Sequence, residues 1–381
     1  FVQSFLVVYF VHWIFHKSDL SFDAVVKFFA AGFLVAVPTA FFFEGMLINV
    51  TLAFTYSLYS FIETISGDAF VEWVIRHYRT IWILGELFNA YIVAAVTEEV
   101  CKYYTFRSVE HPDLVFLTGL NRWRQADNAF TGGVEHYTYG SHQVVSLNRS
   151  ISYESSGSHR SSRSDTSNWI KKLNTEEEYT EDENDVRTLR QKAAAVTTGM
   201  ISVAVGLACA ENFLYVFLLS SNSDASSTNS GVKEEWIVLF FRSIFPVHAL
   251  AAALQSINMI RKFVECKADE NNHRIGVGRI ILPAVLLHGS FDAILLGINV
   301  YIETAWDKYL EENSGNIEEG AQPYNAVVVN LVAWLGIIFI MLFGIGWYFR
   351  ENRKQSARLK QMEAEVAPAG YAKGPKEVEL V

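Results

Sequence analysis

Apolar residues in this chain come in long blocks, not at the two-residue beat of a half-buried strand. The blocks run at about 1–15, 24–47, 80–104, 193–219, 236–260, 277–300 and 325–349. A shorter apolar stretch at 49–62 is either a further span or an interfacial helix. Each block is near the ~20 residues that cross a bilayer's hydrocarbon core. Hydrocarbon offers backbone N–H and C=O groups no partners, so blocks of this kind fold as helices. The pattern predicts an all-α, polytopic transmembrane helical bundle of about seven or eight spans.

The pattern stops at 105–192. The stretches "NRSISYESSGSHRSSRSDTSNW" and "NTEEEYTEDENDVR" are dense in Ser, Asn and charge. So few apolar residues do not offset the entropy of ordering, so the insert is expected to be largely disordered. The organisation that follows is 1–104 as N-terminal spans, 105–192 as a polar insert, 193–349 as C-terminal spans and 350–381 as a tail.

Composition changes this picture little. A mean hydropathy of +0.17 is modest for a membrane protein only because the polar insert dilutes the apolar blocks. The formal net charge of -10 arises mostly in polar segments, and no basic patch points to nucleic acid. Cys101, Cys209 and Cys266 form neither a disulfide framework nor a CxxC pair. The chain opens at Phe1, so residues preceding it are expected and a signal peptide is left open.

Lys and Arg in short flanks set orientation. "RENRKQSARLK" follows the last block, and the loop 261–279 holds Arg261, Lys262, Lys267, Arg274 and Arg279. Both are expected to be cytosolic, and the insert and the C-terminus with them. The acceptor sequences at Asn49 and Asn148 do not settle topology, because the first lies close to the bilayer and the second on the cytosolic side.

Four polar clusters interrupt the apolar blocks. Glu98, Glu99 and Lys102 stand at spacings of three and four, so the lysine shares a helix face with both carboxylates. Such a pair suits general acid/base work or an ordinary salt bridge at a helix end. Glu211, Asn212 and Tyr215 follow in "GLACAENFLYV". Arg242, Pro246 and His248 follow in "FFRSIFPVHAL", where Pro246 bends the helix beside the histidine. His288 and Asp292, four apart in "LLHGSFDAILLG", allow Asp292 to fix the tautomer of His288. Ionisable groups inside membrane spans are expensive and mark functional sites by default. Two histidines with carboxylates either bind zinc or activate a water without metal.

In this order the four clusters resemble the motif set of the PrsW family of intramembrane proteases. The resembling segments are Glu98-Glu99-Val100-Cys101-Lys102, Glu211-Asn212-Phe213-Leu214-Tyr215, Phe245-Pro246-Val247-His248-Ala249 and His288-Gly289-Ser290-Phe291-Asp292. "FHKSDLSFDAVVKFFAAGFLVAVP" is similar to that family's first loop and second span. The resemblance implies cleavage of a peptide bond in a membrane-anchored protein substrate, within or near the bilayer. It implies that Glu98 and Glu99 polarise the attacking water, and that His248 and His288 bind zinc or stabilise the oxyanion. Asp292 would orient His288, Glu211 and Asn212 would complete the site, and Arg242 would brace it. Two departures stand out: Ala195 occupies the place of an expected aspartate, and the insert is unusually long.

Two other readings fit the same residues. Buried Glu, His and Asp also build the proton relays of transporters and channels, although no internal repeat of the carrier kind is visible. A non-catalytic membrane scaffold of the same fold is the third reading.

Overall fold

A computed structural model describes residues 2–15, 19–117, 187–222, 240, 242–265, 275–313 and 323–366. The core of the insert lies outside these residues. So do Cys266, Asn148, and the arginines and serines around 160.

Among the described residues the chain is helical with no strand. α1 spans Val2–Val8 and continues through a π-helical stretch, Tyr9–Phe15. α2 spans Phe22–Ala31, and its N-cap Ser21 accepts the Ala24 N–H on its hydroxyl. A π-helical segment at Gly32–Ala36 links α2 to α3, Val37–Ser66, without a break. The stretch 49–62 is thus the continuation of this helix and not a separate span. Gly67, at φ 59°, reverses the chain in a single residue, a left-handed conformation that glycine adopts without steric cost.

α4 then runs Asp68–Phe88, passes through a third π-helical segment, Asn89–Val96, and becomes α5, Thr97–Ser108. α6 is Leu189–Asn222, α7 Val247–Phe263, α8 Val277–Glu312 and α9 Ala326–Val366. Five of the helical runs are long and apolar enough to cross a membrane, and Val2–Trp13 is a shorter apolar helix. The span expected at 236–260 differs most. Pro246 breaks the chain and stands as the N-cap of α7, so the helix starts at Val247 and has only 17 residues. α9 also runs past 349, well into the expected tail.

α6 is the hub: most of its span is buried against other helices. It packs on α2 backbone to backbone. A Cβ at Gly32 would strike the Val203 carbonyl, and one at Gly206 would strike the Phe29 carbonyl. Small residues let membrane helices approach this closely. Ala195, where the resemblance led one to expect aspartate, is fully buried in this core. Cys101 and Cys209 are buried and free, in the manner of small apolar fillers. The outer helices behave in the opposite way. α3 and α9 expose Phe41, Phe42, Phe54, Phe339, Leu342 and Phe343, the surface a bilayer covers.

Two polar clamps close one end of the bundle. Glu265 is buried and takes Arg358 on both carboxylate oxygens, at 2.9 and 3.1 Å. Gln355 adds a third hydrogen bond to Glu265 at 3.2 Å and another to the Ile257 carbonyl. In the second clamp Asp113 accepts the Ser21 N–H at 2.9 Å, and Arg187 donates to the Asp113 carbonyl at 2.6 Å. Burial opposes the Asp113 charge. The hydrogen bond from Ser21, with His111 and Arg187 nearby, outweighs it and holds this carboxyl below the usual aspartate range.

Candidate active site

The segment that carries Glu98 and Glu99 changes its winding just before them. The π-helical stretch Asn89–Val96 takes more residues per turn and so rotates the following positions around the axis. From Thr97 the helix is regular, and Glu98, Glu99 and Lys102 all face inward. Glu99 and Lys102 have no exposed surface. Lys102 Nζ lies 2.7 Å from Glu99 Oε1 and 3.5 Å from Glu98 Oε2, so the spacing read from the sequence does bring the lysine to both carboxylates.

α7 and α8 supply the histidines. His248 sits in the first turn of α7, fixed by the Pro246 break. His288 sits in the N-terminal half of α8. Gly289 beside it has no room for a Cβ, because the Tyr91 ring of the π-helical segment packs against its backbone. The same contact is pinned by Tyr91 Oη and Ser290 Oγ at 2.8 Å. The two imidazole rings meet edge to face, with centroids 4.6 Å apart.

Each imidazole uses one nitrogen on a carboxylate and turns the other to Glu98. His288 Nδ1 lies 3.0 Å from Glu99 Oε1, and its Nε2 lies 3.7 Å from Glu98 Oε2. His248 Nε2 lies 3.4 Å from Glu211 Oε2, and its Nδ1 lies 3.4 Å from Glu98 Oε2. A carboxylate on the far nitrogen is how metal-binding histidines are oriented. Three ligand atoms, one each from Glu98, His248 and His288, lie within 4.8 Å of one another. Glu98 Oε2 and His288 Nε2 are buried and make no hydrogen bond. One carboxylate and two imidazoles form a donor set suited to zinc, and these residues fit such an ion.

Cations frame the group. Arg242 Nη2 lies 2.6 Å from Glu211 Oε2 and 3.1 Å from His248 Nε2. Its other terminal nitrogen reaches Tyr215 Oη at 3.5 Å, and the guanidinium lies over that ring. Lys102 Nζ lies 3.0 Å from His248 Nδ1. Both nitrogens of His248 therefore face cations, and a neutral imidazole has one lone pair to offer.

The roles differ from the sequence reading in two places. Glu99 Oε1 accepts the hydrogen bond from His288 Nδ1, whereas Asp292 Oδ2 approaches Nε2 at 3.2 Å without hydrogen-bond alignment. Asn212 is half-buried and makes no hydrogen bond among the described residues. Glu98, Glu99, Lys102, Glu211, Tyr215, Arg242, His248, His288 and Asp292 do come together.

Residues 186–309 match the model of the PrsW family of intramembrane metalloproteases. The PrsW match contains Glu211, Arg242, His248, His288 and Asp292. Glu98, Glu99 and Lys102 lie before it, joined to the matched segment by the contacts above. No curated protein and no solved structure matches the chain.

Two participants escaped the sequence reading. Gln255, fully buried on α7, donates to the Glu99 backbone carbonyl at 3.3 Å. Its signal was an amide in the apolar run "AAALQSIN". Glu44 on α3 lies within electrostatic reach of Glu98, Glu211, Arg242 and His288. It is the one carboxylate of the block 24–47.

Proposed function

We propose that this protein is an intramembrane endopeptidase that hydrolyses a peptide bond of a membrane-anchored protein substrate. The observation that carries the reading is the paired orientation of the histidines, each braced by a carboxylate and turned to Glu98. In this reading Glu98, His248 and His288 hold a divalent metal ion, with zinc the best match to the donors. Such an ion, when bound, acts as a Lewis acid toward a carbonyl oxygen or a water.

The chain's own residues supply the rest. Glu99 is held on one oxygen by Lys102 and His288, while its Oε2 is buried and makes no hydrogen bond. We assign Oε2 as the base that takes a proton from the attacking water. The water oxygen bonds to the carbonyl carbon, the C–N bond breaks, and the proton passes from Glu99 to the departing nitrogen. Lys102 and Arg242 are the cations available to negative charge on the carbonyl oxygen. Glu211 fixes Arg242 and orients His248. Gln255 fixes the backbone at Glu99. Asp292 and Tyr215 complete the wall. The C-terminus is cytosolic in this reading, as the basic flank of α9 favours.

The test is cleavage of a single-span reporter by the full chain in proteoliposomes. Glu99→Gln is expected to lower the rate on the order of a thousandfold or more with the fold retained. A Glu99→Gln protein within threefold of wild type would sink the assignment. Ion or solute flux with no cleavage would favour the transporter reading.

A further inference from the structure

A cavity of about 450 Å³ lies between α4 and α8, and none of its lining residues belongs to the Glu98 cluster. Its place follows from the apolar pattern. The block 80–104 begins directly after Arg79, and the block 277–300 ends at Val300. α4 and α8 both run past these points as helices, so the cavity straddles the level where hydrocarbon gives way to headgroups. Ile83, Gly297 and Val300 line its membrane side, and Arg79, Lys308 and Tyr309 line its outer side. Ile83 is also exposed, so the cavity opens on lipid.

The lining is left unfinished in several places. A Cβ built at Gly297 would meet nothing within 4 Å, so the floor there is open space and not a helix contact. Tyr309 Oη is buried and makes no hydrogen bond, a costly state for a hydroxyl. Arg79 makes no salt bridge or hydrogen bond among the described residues. Arg76, one turn earlier on the same helix, is held by Glu72 at 2.7 Å. Lys308 has Glu312 at 3.7 Å with both side chains well exposed, a pairing worth little.

A ligand that completes all of these is amphiphilic. Arginine and lysine suit phosphate oxygens, and a phosphate oxygen also accepts from a tyrosine hydroxyl. Basic pockets between membrane helices hold lipid headgroups in this way. A soluble anion would leave the space over Gly297 empty. A lipid without phosphate would leave Arg79 and Tyr309 without partners.

We infer that this cavity binds one phospholipid. Its phosphate accepts hydrogen bonds from Arg79, Lys308 and Tyr309, and its glycerol and first methylenes fill the space over Gly297. Its acyl chains continue past Ile83 into the bilayer. α4 leads through the π-helical segment to Glu98, and α8 carries His288, so the lipid joins two helices that build the cluster.

The test is native mass spectrometry of the full chain, stripped of lipid in detergent and titrated with phosphatidylglycerol. Wild type is expected to hold one lipid in preference to any further ones. Arg79→Gln and Lys308→Gln each weaken that binding about fivefold, and together about thirtyfold. Gly297→Leu, which fills the floor with both cations intact, weakens it about tenfold. Tyr309→Phe weakens it less and leaves the unfolding midpoint of lipid-free protein unchanged, because the hydroxyl has no partner to lose. Arg76→Gln removes the same charge from the same helix outside the cavity and leaves binding near wild type. Added lipid raises the unfolding midpoint of wild type and not that of the double variant. Equal binding of diacylglycerol would overturn the phosphate contact, and equal binding of glycerol phosphate would overturn the lipid as occupant. A loss in Arg76→Gln as large as that in Arg79→Gln, or full binding by the double variant or by Gly297→Leu, would overturn the site.

Discussion

Glu98 and Glu265 are buried to the same degree, and the difference between them separates function from architecture. Their side chains are 5% and 4% exposed. Glu265 spends both oxygens: Arg358 takes the two of them and Gln355 adds a third bond. Nothing is left for a ligand, and the result is a clamp between the end of α7 and α9. Glu98 faces two imidazoles and a lysine, yet its Oε2 makes no hydrogen bond. A buried acceptor left unsatisfied costs about 1–3 kcal/mol. A protein keeps such a group where something else completes it, and in the proposed reading that is a metal ion or a reacting water.

That contrast can be broken by isosteric replacement. Glu98→Gln removes a donor from the metal set, and cleavage is expected to fall on the order of a thousandfold. Thermal unfolding of metal-stripped protein is expected to change little in this variant, because Lys102 keeps its shorter pair with Glu99. The stability that bound metal adds to the wild type should be lost in the variant. Arg358→Ala should do the reverse. It strands the Glu265 charge and is expected to cost roughly 2–3 kcal/mol, the buried-pair value lowered because the arginine is partly exposed. Activity per folded molecule should stay near wild type. Denaturation followed by tryptophan fluorescence reads the first quantity and reporter cleavage the second.

Gly289→Ala sharpens the comparison at an intermediate size. A methyl group there meets the Tyr91 ring, and overpacking of this kind costs about 1–3 kcal/mol. The variant also displaces His288, so cleavage should drop about tenfold or more, with loss of activity exceeding loss of stability.

Asp113 gives the smallest effect. Its folded pKa is depressed, so its contribution to stability is present above the unfolded aspartate pKa of about 3.9. That contribution is lost as pH falls from this value through the lower folded pKa. Asp113→Asn is therefore expected to lower the unfolding midpoint slightly at pH 7, and the gap from wild type should close toward pH 3. A gap that widens on acidification would contradict the Ser21 and Arg187 contacts as its cause.

The bundle was legible because apolar blocks of span length leave the backbone few options. The Glu-Glu-Lys face was legible too, since helical spacing alone carries Lys102 to both carboxylates. What sequence did not show is where one helix ends and another continues. Residues 49–62 extend a helix already under way, and only Gly67 turns the chain. Pro246 was expected to bend a helix and instead starts one. Partners across helices were the least legible. The i,i+4 spacing of His288 and Asp292 suggested a local pair, and Asp292 Oδ2 does lie 3.2 Å from Nε2. Nothing in the spacing showed that Glu99, 189 positions away, takes the hydrogen bond of Nδ1. Local spacing says which residues share a face. It does not say which face of another helix arrives opposite.

The central claim is that Glu98, His248 and His288 hold one metal ion that cleavage requires. The direct measurement is the metal content of the full chain purified in detergent, beside reporter cleavage, for wild type, His248→Ala and His288→Ala. The account predicts about one zinc per wild-type chain, with metal and cleavage lost together in both variants and cleavage restored to stripped wild type by added zinc. Wild-type protein that cleaves without bound metal and ignores chelators would contradict it.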